Sequence, residues 1–506
     1  MTLRPADNST PLAETTSTLL VGDTSTLLVD GKLVPGSGGT FEVVNPATEE
    51  VIGHAAEATA SDMDAAIDAA RRAFDTTDWS RDHAFRARCL RQLCDALQSH
   101  IEELRQITIA EVGAPSMLTN GPQLEGPIED LRYWADLVET YAWDQDLGKA
   151  SPMGIPTHRR LLKEAIGVVG AITPWNFPHQ INFAKLGPAL AAGNTVVLKP
   201  APDTPWCAAL VGKVIAEETD IPAGVVNIVT STDHALGAQL STDPRVDLIS
   251  FTGSTATGRA VMAAASQTLK KVFLELGGKS AFIVLDDANI KAACSMAAFS
   301  VSVHAGQGCA LSTRLLVPRE KYDEAVAAAA KGMAGVGVGD PTKPGTICGP
   351  LISAKQRERV EGYLTLAVEE GGTIVTGGGR PEGQDRGYFV QPTLVAGLDN
   401  SSRVAQEEIF GPVLVILPYD GDDDAIRIAN DSPYGLSGTV FGTDPARIDH
   451  VVRGVRTGTL GVNGGIWYSA DAPFGGYKQS GIGREMGVAG FEEYLETKLV
   501  ADLATS

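Results

Sequence analysis

Between about residues 166 and 258, short apolar runs alternate with longer mixed segments. Val168 to Ile172, Thr195 to Leu198, Val225 to Val229 and Leu248 to Phe251 are rich in Val, Ile, Leu and Phe. Runs of this kind predict strands buried on both faces of a parallel sheet. The intervening Phe183 to Ala192 and Trp206 to Glu218 carry helical patterning. Strand–helix alternation predicts an α/β layer structure of the dinucleotide-binding type. A second alternating region covers about residues 280 to 480, with helix Tyr322 to Met333 and strand Val413 to Leu417 its clearest elements. Ahead of both, the pattern turns helical at Ser61 and stays largely so to about Trp143. Ser61 and Asp64 suit a capping arrangement there, with Met63, Ile67, Ala70 and Phe74 on one face.

The N-terminus contains a near-duplication, Thr16 to Val21 and Thr24 to Val29. The second copy runs into Asp30-Gly31, a hairpin signal, and residues 1 to about 24, ahead of it, are expected to be a disordered extension. A chain of 506 residues suggests about three domains. Hydrophobic content of 43% and charged content of 20% are ordinary for a folded globular protein. A formal charge of −21 argues against nucleic acid or an anionic membrane as partner. No apolar run approaches the roughly 20 residues of a membrane helix. The first 25 residues show one arginine, Arg4, and no readable secretory signal, so a cytoplasmic location is expected. Six cysteines are too few for a disulfide scaffold and fit no zinc spacing. Eight scattered histidines form no His-x-x-x-His pair, and no metal is expected.

Candidate chemistry centres on Cys309, in the run His304 to Ala310, with Glu275 upstream in Leu274 to Ser280. The flanking glycines let a carbonyl compound approach the sulfur and leave backbone N–H groups free. A thiol served by a carboxylate base suits covalent catalysis on a carbonyl. A buried cysteine acting as a small hydrophobe is the bland alternative. In Ala171 to Pro178, Asn176 follows a strand pattern; its amide either donates to a developing oxyanion or fastens a Pro-bounded turn. Gln406 to Val413 places paired carboxylates before Phe410 and a Gly-Pro turn. After the strand ending at Phe251, Gly253 to Gly258 enters a helix whose N-terminus suits a pyrophosphate. Thr255 stands where the middle glycine of the dinucleotide fingerprint would be, so that signal is weak alone.

These segments, in this order, resemble the NAD(P)-dependent aldehyde dehydrogenase superfamily, over about Leu28 to Leu499. The motifs are Pro174 to Pro178, Val197 to Pro200, Phe251 to Thr255, Leu274 to Gly278, Gly306 to Cys309, Glu408 to Pro412 and Pro473 to Gly481. The resemblance implies two parallel-sheet α/β domains, a Rossmann-like cofactor domain and a catalytic domain, plus a small β oligomerisation domain. The cofactor domain would take residues 25–146 and 166–277, and the catalytic domain 278–480. The oligomerisation strands would lie in 147–165 and 488–506, including Thr157 to Glu164 and Glu493 to Val500, shared across a dimer or tetramer. An edge strand seeking a partner is consistent with that.

The same resemblance assigns roles. Cys309 would be the nucleophile, Asn176 with the Cys309 N–H the oxyanion donors, and Glu275 the base, with Lys185 and Glu485 passing its proton outward. Glu275 points to the hydrolytic branch, because members that acylate coenzyme A typically lack it. The cofactor would be held by Ile172, Thr173, Pro174, Trp175, Lys199, Gly253, Ser254, Thr255, Gly258, Leu276, Gly277, Glu408 and Phe410. NAD-selective relatives often carry a glutamate where this chain has Pro202, followed by Asp203. NAD is expected, with NADP left open. Phe177, Tyr468 and Phe474 match aromatic positions of the aldehyde tunnel, while Ala184 and Ala310 are small. That composition suggests a medium-sized apolar or aromatic aldehyde as the small-molecule partner. A thiol esterase and a non-catalytic structural or binding member of the same fold are the alternatives.

Overall fold

A computed structural model describes residues 25–504. The first duplicated segment, Thr16 to Val21, therefore lies outside the described residues. Two large sheets dominate. In the first, eight strands run in the order Gly481–Ile482, Lys271–Glu275, Leu248–Thr252, Val168–Ile172, Thr195–Lys199, Val226–Ile228, Leu27–Val29 and Lys32–Val34. Its five central strands are parallel, in the register Ser250 beside Ala171 and Ala171 beside Leu198. Val168, Val196, Val197, Leu198 and Leu248 are almost wholly buried, as strands covered by helices on both faces must be. The short pair at the far edge is a hairpin turned by Asp30 and Gly31, with φ of 53° and 71°. Both values suit a type I′ turn.

The second sheet has seven strands, in the order Thr373–Thr376, Thr393–Ala396, Val413–Tyr419, Arg314–Pro318, Ala281–Val284, Gly438–Phe441 and Gly461–Val462. All its neighbours are parallel except the first pair. Leu276 to Ser280 alone separates strand Lys271–Glu275 of one sheet from strand Ala281–Val284 of the other. A third, antiparallel sheet joins Asp144–Ala150, Thr157–Ala165 and Leu495–Leu503.

Element boundaries differ from the patterning in two places. The helix Ala60–Thr76 is capped by Thr59 and Asp62, not by Ser61 and Asp64. Asp62 accepts the Thr59 N–H at 2.8 Å and also holds Ser37, which fixes the start two residues earlier. Met63, Ile67 and Ala70 are buried, whereas Phe74 is half-exposed beneath the Arg71 guanidinium. The helix read as starting at Phe183 begins at Pro178. A proline at the first helical position lacks only an N–H that would have had no partner anyway. Among the described residues, no helix is long and apolar enough to cross a membrane.

Candidate active site

The site lies where the carboxyl ends of the first sheet face the second. Asn176 follows strand Val168–Ile172, Glu275 ends strand Lys271–Glu275, and Cys309 sits in the loop before strand Arg314–Pro318. Cys309 is half-buried. Burial pushes its thiol well up, and the Glu275, Glu408 and Glu485 carboxylates push in the same direction. Glu275 is 2% exposed, and neither carboxylate oxygen has a hydrogen-bond partner among the described residues. Burial raises its carboxyl well above the usual range; Glu485 adds to this, while Lys185 and Arg484 oppose it. A buried carboxyl without donors is primed to meet a water or a thiol proton rather than to stabilise the fold.

Asn176 is 3% exposed, and its Nδ2 donates to the Gln307 carbonyl at 2.9 Å. Its own main-chain carbonyl accepts from Gln123 Nε2 at 2.8 Å and lies 2.9 Å from His304 Nε2. Burial holds the His304 imidazole down at about 4, so it is neutral near pH 7 and donates through Nε2. His304 and Ala305 both have left-handed backbones, with φ of 52° and 53°. Gln307 fixes the loop from inside, donating to the His304 and Pro350 carbonyls and accepting from the Ile352 N–H. Gly278 lets the base segment close on the nucleophile loop: a Cβ there would lie 2.6 Å from the Cys309 carbonyl oxygen.

Behind Glu275, Lys185 and Glu485 form a buried ion pair at 2.8 Å, and Lys185 also donates to Ser250 Oγ. Glu485 is held by paired main-chain bonds with Phe474. Phe474 stacks on Trp467 at 5.4 Å and meets Tyr468 edge-on at 5.6 Å. Phe474, Trp467, Tyr468 and Cys309 pack in one apolar cluster, and Phe177 meets His304, five residues before Cys309, edge-on at 5.2 Å.

A groove of about 760 Å³ adjoins this corner. Ile172, Thr173, Pro174, Trp175, Lys199, Gly253 and Ser254 line it. Thr255 opens the helix Thr255–Ala265, where Ser254 is the cap and accepts from the Thr257 N–H. The remaining first-turn N–H groups have no intrahelical acceptor and suit a pyrophosphate. At Gly258 a Cβ would meet the Leu276 side chain at 2.5 Å, so helix Thr255–Ala265 lies close against the residue that follows strand Lys271–Glu275. Lys199 donates to the Ser231 carbonyl, and burial lowers its ammonium.

At the other end, Phe410 meets Trp175 edge-on at 5.3 Å. Glu408 accepts from the Gly278 N–H at 3.0 Å, and burial raises its carboxyl to about 7. A side chain at Gly277 would collide with that carboxylate. Arg359 and Gln356 donate to the main-chain carbonyls of Glu408, Ile409 and Phe410, holding this turn in place. The groove, its N–H cradle and its ends therefore fit a dinucleotide. Gln123, His304, Gln356, Arg359 and Trp467 escaped the sequence reading. Only Trp467, beside Tyr468, carried a usable signal.

A family model described as the aldehyde dehydrogenase family matches residues 33–500. A 3-succinoylsemialdehyde-pyridine dehydrogenase from a Pseudomonas species is 42% identical, over 93% of this chain and 97% of that protein. The crystal structure of a Mycobacterium tuberculosis aldehyde dehydrogenase complexed with NAD+ superposes with a TM-score of 0.90 at 42% identity, covering 95% and 98% of the two chains. A mutant of aldehyde dehydrogenase C from Pseudomonas syringae, complexed with NAD+ and octanal, gives a TM-score of 0.90 at 38% identity, covering 94% and 96%.

Proposed function

The chain belongs to the aldehyde dehydrogenase family, and from that premise we propose that it oxidises a medium-sized apolar or aromatic aldehyde to the carboxylic acid with NAD. The observation that carries the reading is the buried, unpartnered Glu275 carboxyl beside the Cys309 loop, next to a groove shaped for a dinucleotide. Bound NAD supplies the hydride acceptor. Cys309 gives its proton to Glu275, directly or through water, and its sulfur bonds to the aldehyde carbon. The second Asn176 N–H and the Cys309 N–H receive the oxyanion, worth roughly 3–4 kcal/mol per donor in other enzymes. Loss of hydride from that carbon leaves a thioester on Cys309. Once it has passed the first proton on, Glu275 takes a second from water, whose oxygen displaces the thiolate and releases the acid. Lys185 and Glu485 stand behind Glu275 to relay the proton outward.

The aromatic wall of Phe177, Trp467, Tyr468 and Phe474 supports an apolar aldehyde. So does the octanal bound to the Pseudomonas syringae relative. Ultraviolet absorbance of the reduced nicotinamide, followed with an aldehyde panel and no coenzyme A, tests the reading. Wild type should turn over octanal and benzaldehyde, and Cys309→Ala should not. Strong activity on succinic semialdehyde beside poor activity on these two would reject the substrate class.

A further inference from the structure

Lys279 is 2% exposed, and its Nζ has no hydrogen-bond partner among the described residues. The mechanism does not use it. Arg314, 1% exposed, lies beside it, with Nε donating to the Lys279 carbonyl at 2.9 Å. The other acceptors of that guanidinium are Asn400 Oδ1 and the Ile428 and Ala429 carbonyls, all of them neutral. The two carbonyls belong to the last turn of helix Asp422–Asn430, so a negative dipole end offsets part of the Arg314 charge. Lys279 has no such relief. Burial and the Arg314 charge bring its ammonium down to about 7, with Glu408 and Glu407 pulling the other way and Arg359 adding to the fall. Buried charges in folded proteins are ordinarily paired, because leaving one uncompensated is costly.

Both residues line one small cavity, in which the centre of a water-sized particle has about 10 Å³ to move. That is room for a single small particle. Tyr434, Ser437, Arg456 and Thr457 also line it, and no carboxylate does. Thr457 Oγ1 is a second buried polar atom without a partner among the described residues. Its hydroxyl hydrogen and the Lys279 N–H groups are donors with no acceptor. Arg456 is exposed, which gives the cavity a route to solvent. Cations, idle donors and the lack of an acid call for a negative particle. The small volume admits an ion of halide size and excludes phosphate or sulfate. A bridging water would serve the donors but leave both buried charges without a counter-charge.

We propose that this cavity is a binding site for a small monovalent anion of chloride size, held between Lys279 Nζ and Thr457 Oγ1 beside Arg314. The ion would tie Lys279, and with it the crossing from Leu276 to Ser280, to the segment that follows helix Pro445–Gly454. The test has two arms, both on the full chain. Crystals grown in bromide should show an anomalous peak within hydrogen-bonding reach of Lys279 Nζ and Thr457 Oγ1. In solution, thermal unfolding below pH 7, where Lys279 is largely charged, compares bromide and chloride with gluconate at equal ionic strength. Gluconate is too large to enter. Wild type should unfold about 2–3 °C higher in halide at roughly a hundredfold excess over Kd. Lys279→Met should lose that response. Thr457→Val should need roughly tenfold more halide for the same shift, the effect of one hydrogen bond to a charged group. The valine variant carries the solution arm should Lys279→Met fail to fold. Absence of a peak at the cavity would overturn the proposal. A peak with no halide response in solution would mean an adventitious ion only, and would overturn it as well. So would a halide response of equal size in wild type and the folded variants.

Discussion

Glu275 is a carboxyl held out of water, and among the described residues nothing donates to it. As a base it acts only when ionised, and its raised pKa means that the ionised fraction grows as pH rises. Deacylation should therefore accelerate toward alkaline pH. Glu275→Gln should slow it by roughly 10²–10⁴ fold and flatten that dependence. A rapid-quench experiment would show about one equivalent of reduced cofactor per active site followed by near-arrest. Full steady turnover by the variant would remove Glu275 from this role. Cys309, Glu275 and Asn176 stood out as candidates because each sits in a short segment bounded by Gly or Pro, where no apolar periodicity accounts for it. Gln123 and His304 were not legible. Both act on the main-chain carbonyl of Asn176, and an acceptor every residue possesses leaves no mark in sequence.

At the scale of elements, helices owe their positions to buried polar contacts as much as to their apolar faces. Glu111, fully buried in the π-helical turn Thr108–Val112, accepts the Trp206 and Cys207 N–H groups at 3.0 and 2.6 Å. It thereby caps helix Pro205–Glu218, which Thr204 does not cap with its side chain. Burial raises its carboxyl to about 7 despite those donors. The protonated form is thus favoured in the folded state. Its stabilising contribution should be fullest below the ordinary glutamate value of 4.5 and fall as pH rises through 7. Glu111→Ala should cost about 2–3 kcal/mol, because two buried donors lose their acceptor. Glu111→Gln should remove the fall with pH. Urea unfolding of the three proteins across pH 4 to 8 (roughly the window of linkage) measures both; parallel curves for wild type and Glu111→Gln would contradict the sign. The strands of the parallel sheets were readable because burial on both faces concentrates Val, Ile and Leu. The start of helix Pro178–Ala192 was not readable, because its proline is a turn signal and a first-turn residue alike.

At the scale of the molecule, alternation along the chain announced two α/β layers, but not which distant segments would complete them. Gly481–Ile482 returns to the first sheet beside Leu274 and Glu275, a pairing across some two hundred residues that no local pattern encodes. The antiparallel sheet raises a different matter. Its outer strand Leu495–Leu503 pairs on one side only, among the described residues, and exposes Leu499 and Leu503 at 59% and 76%. Open, partly apolar edges of this length are usually covered. We expect a homo-oligomer, a dimer or tetramer, with this strand at the contact. Light scattering should return a multiple of the 53.0 kDa chain mass, and Leu499→Glu with Leu503→Glu should lower it. A wild-type monomer would exclude the assembly.

The short crossing from Leu276 to Ser280 has a mechanical consequence. Five residues reach at most about 17 Å when fully drawn out, so the two lobes are on a tight tether. Glu275 is anchored at one end of it, and Gly278, within it, grips Glu408. Any rocking of one lobe against the other would pull first on Glu275 and on the turn that carries Glu408 and Phe410. Opening the groove and displacing Glu275 are, in this architecture, a single movement.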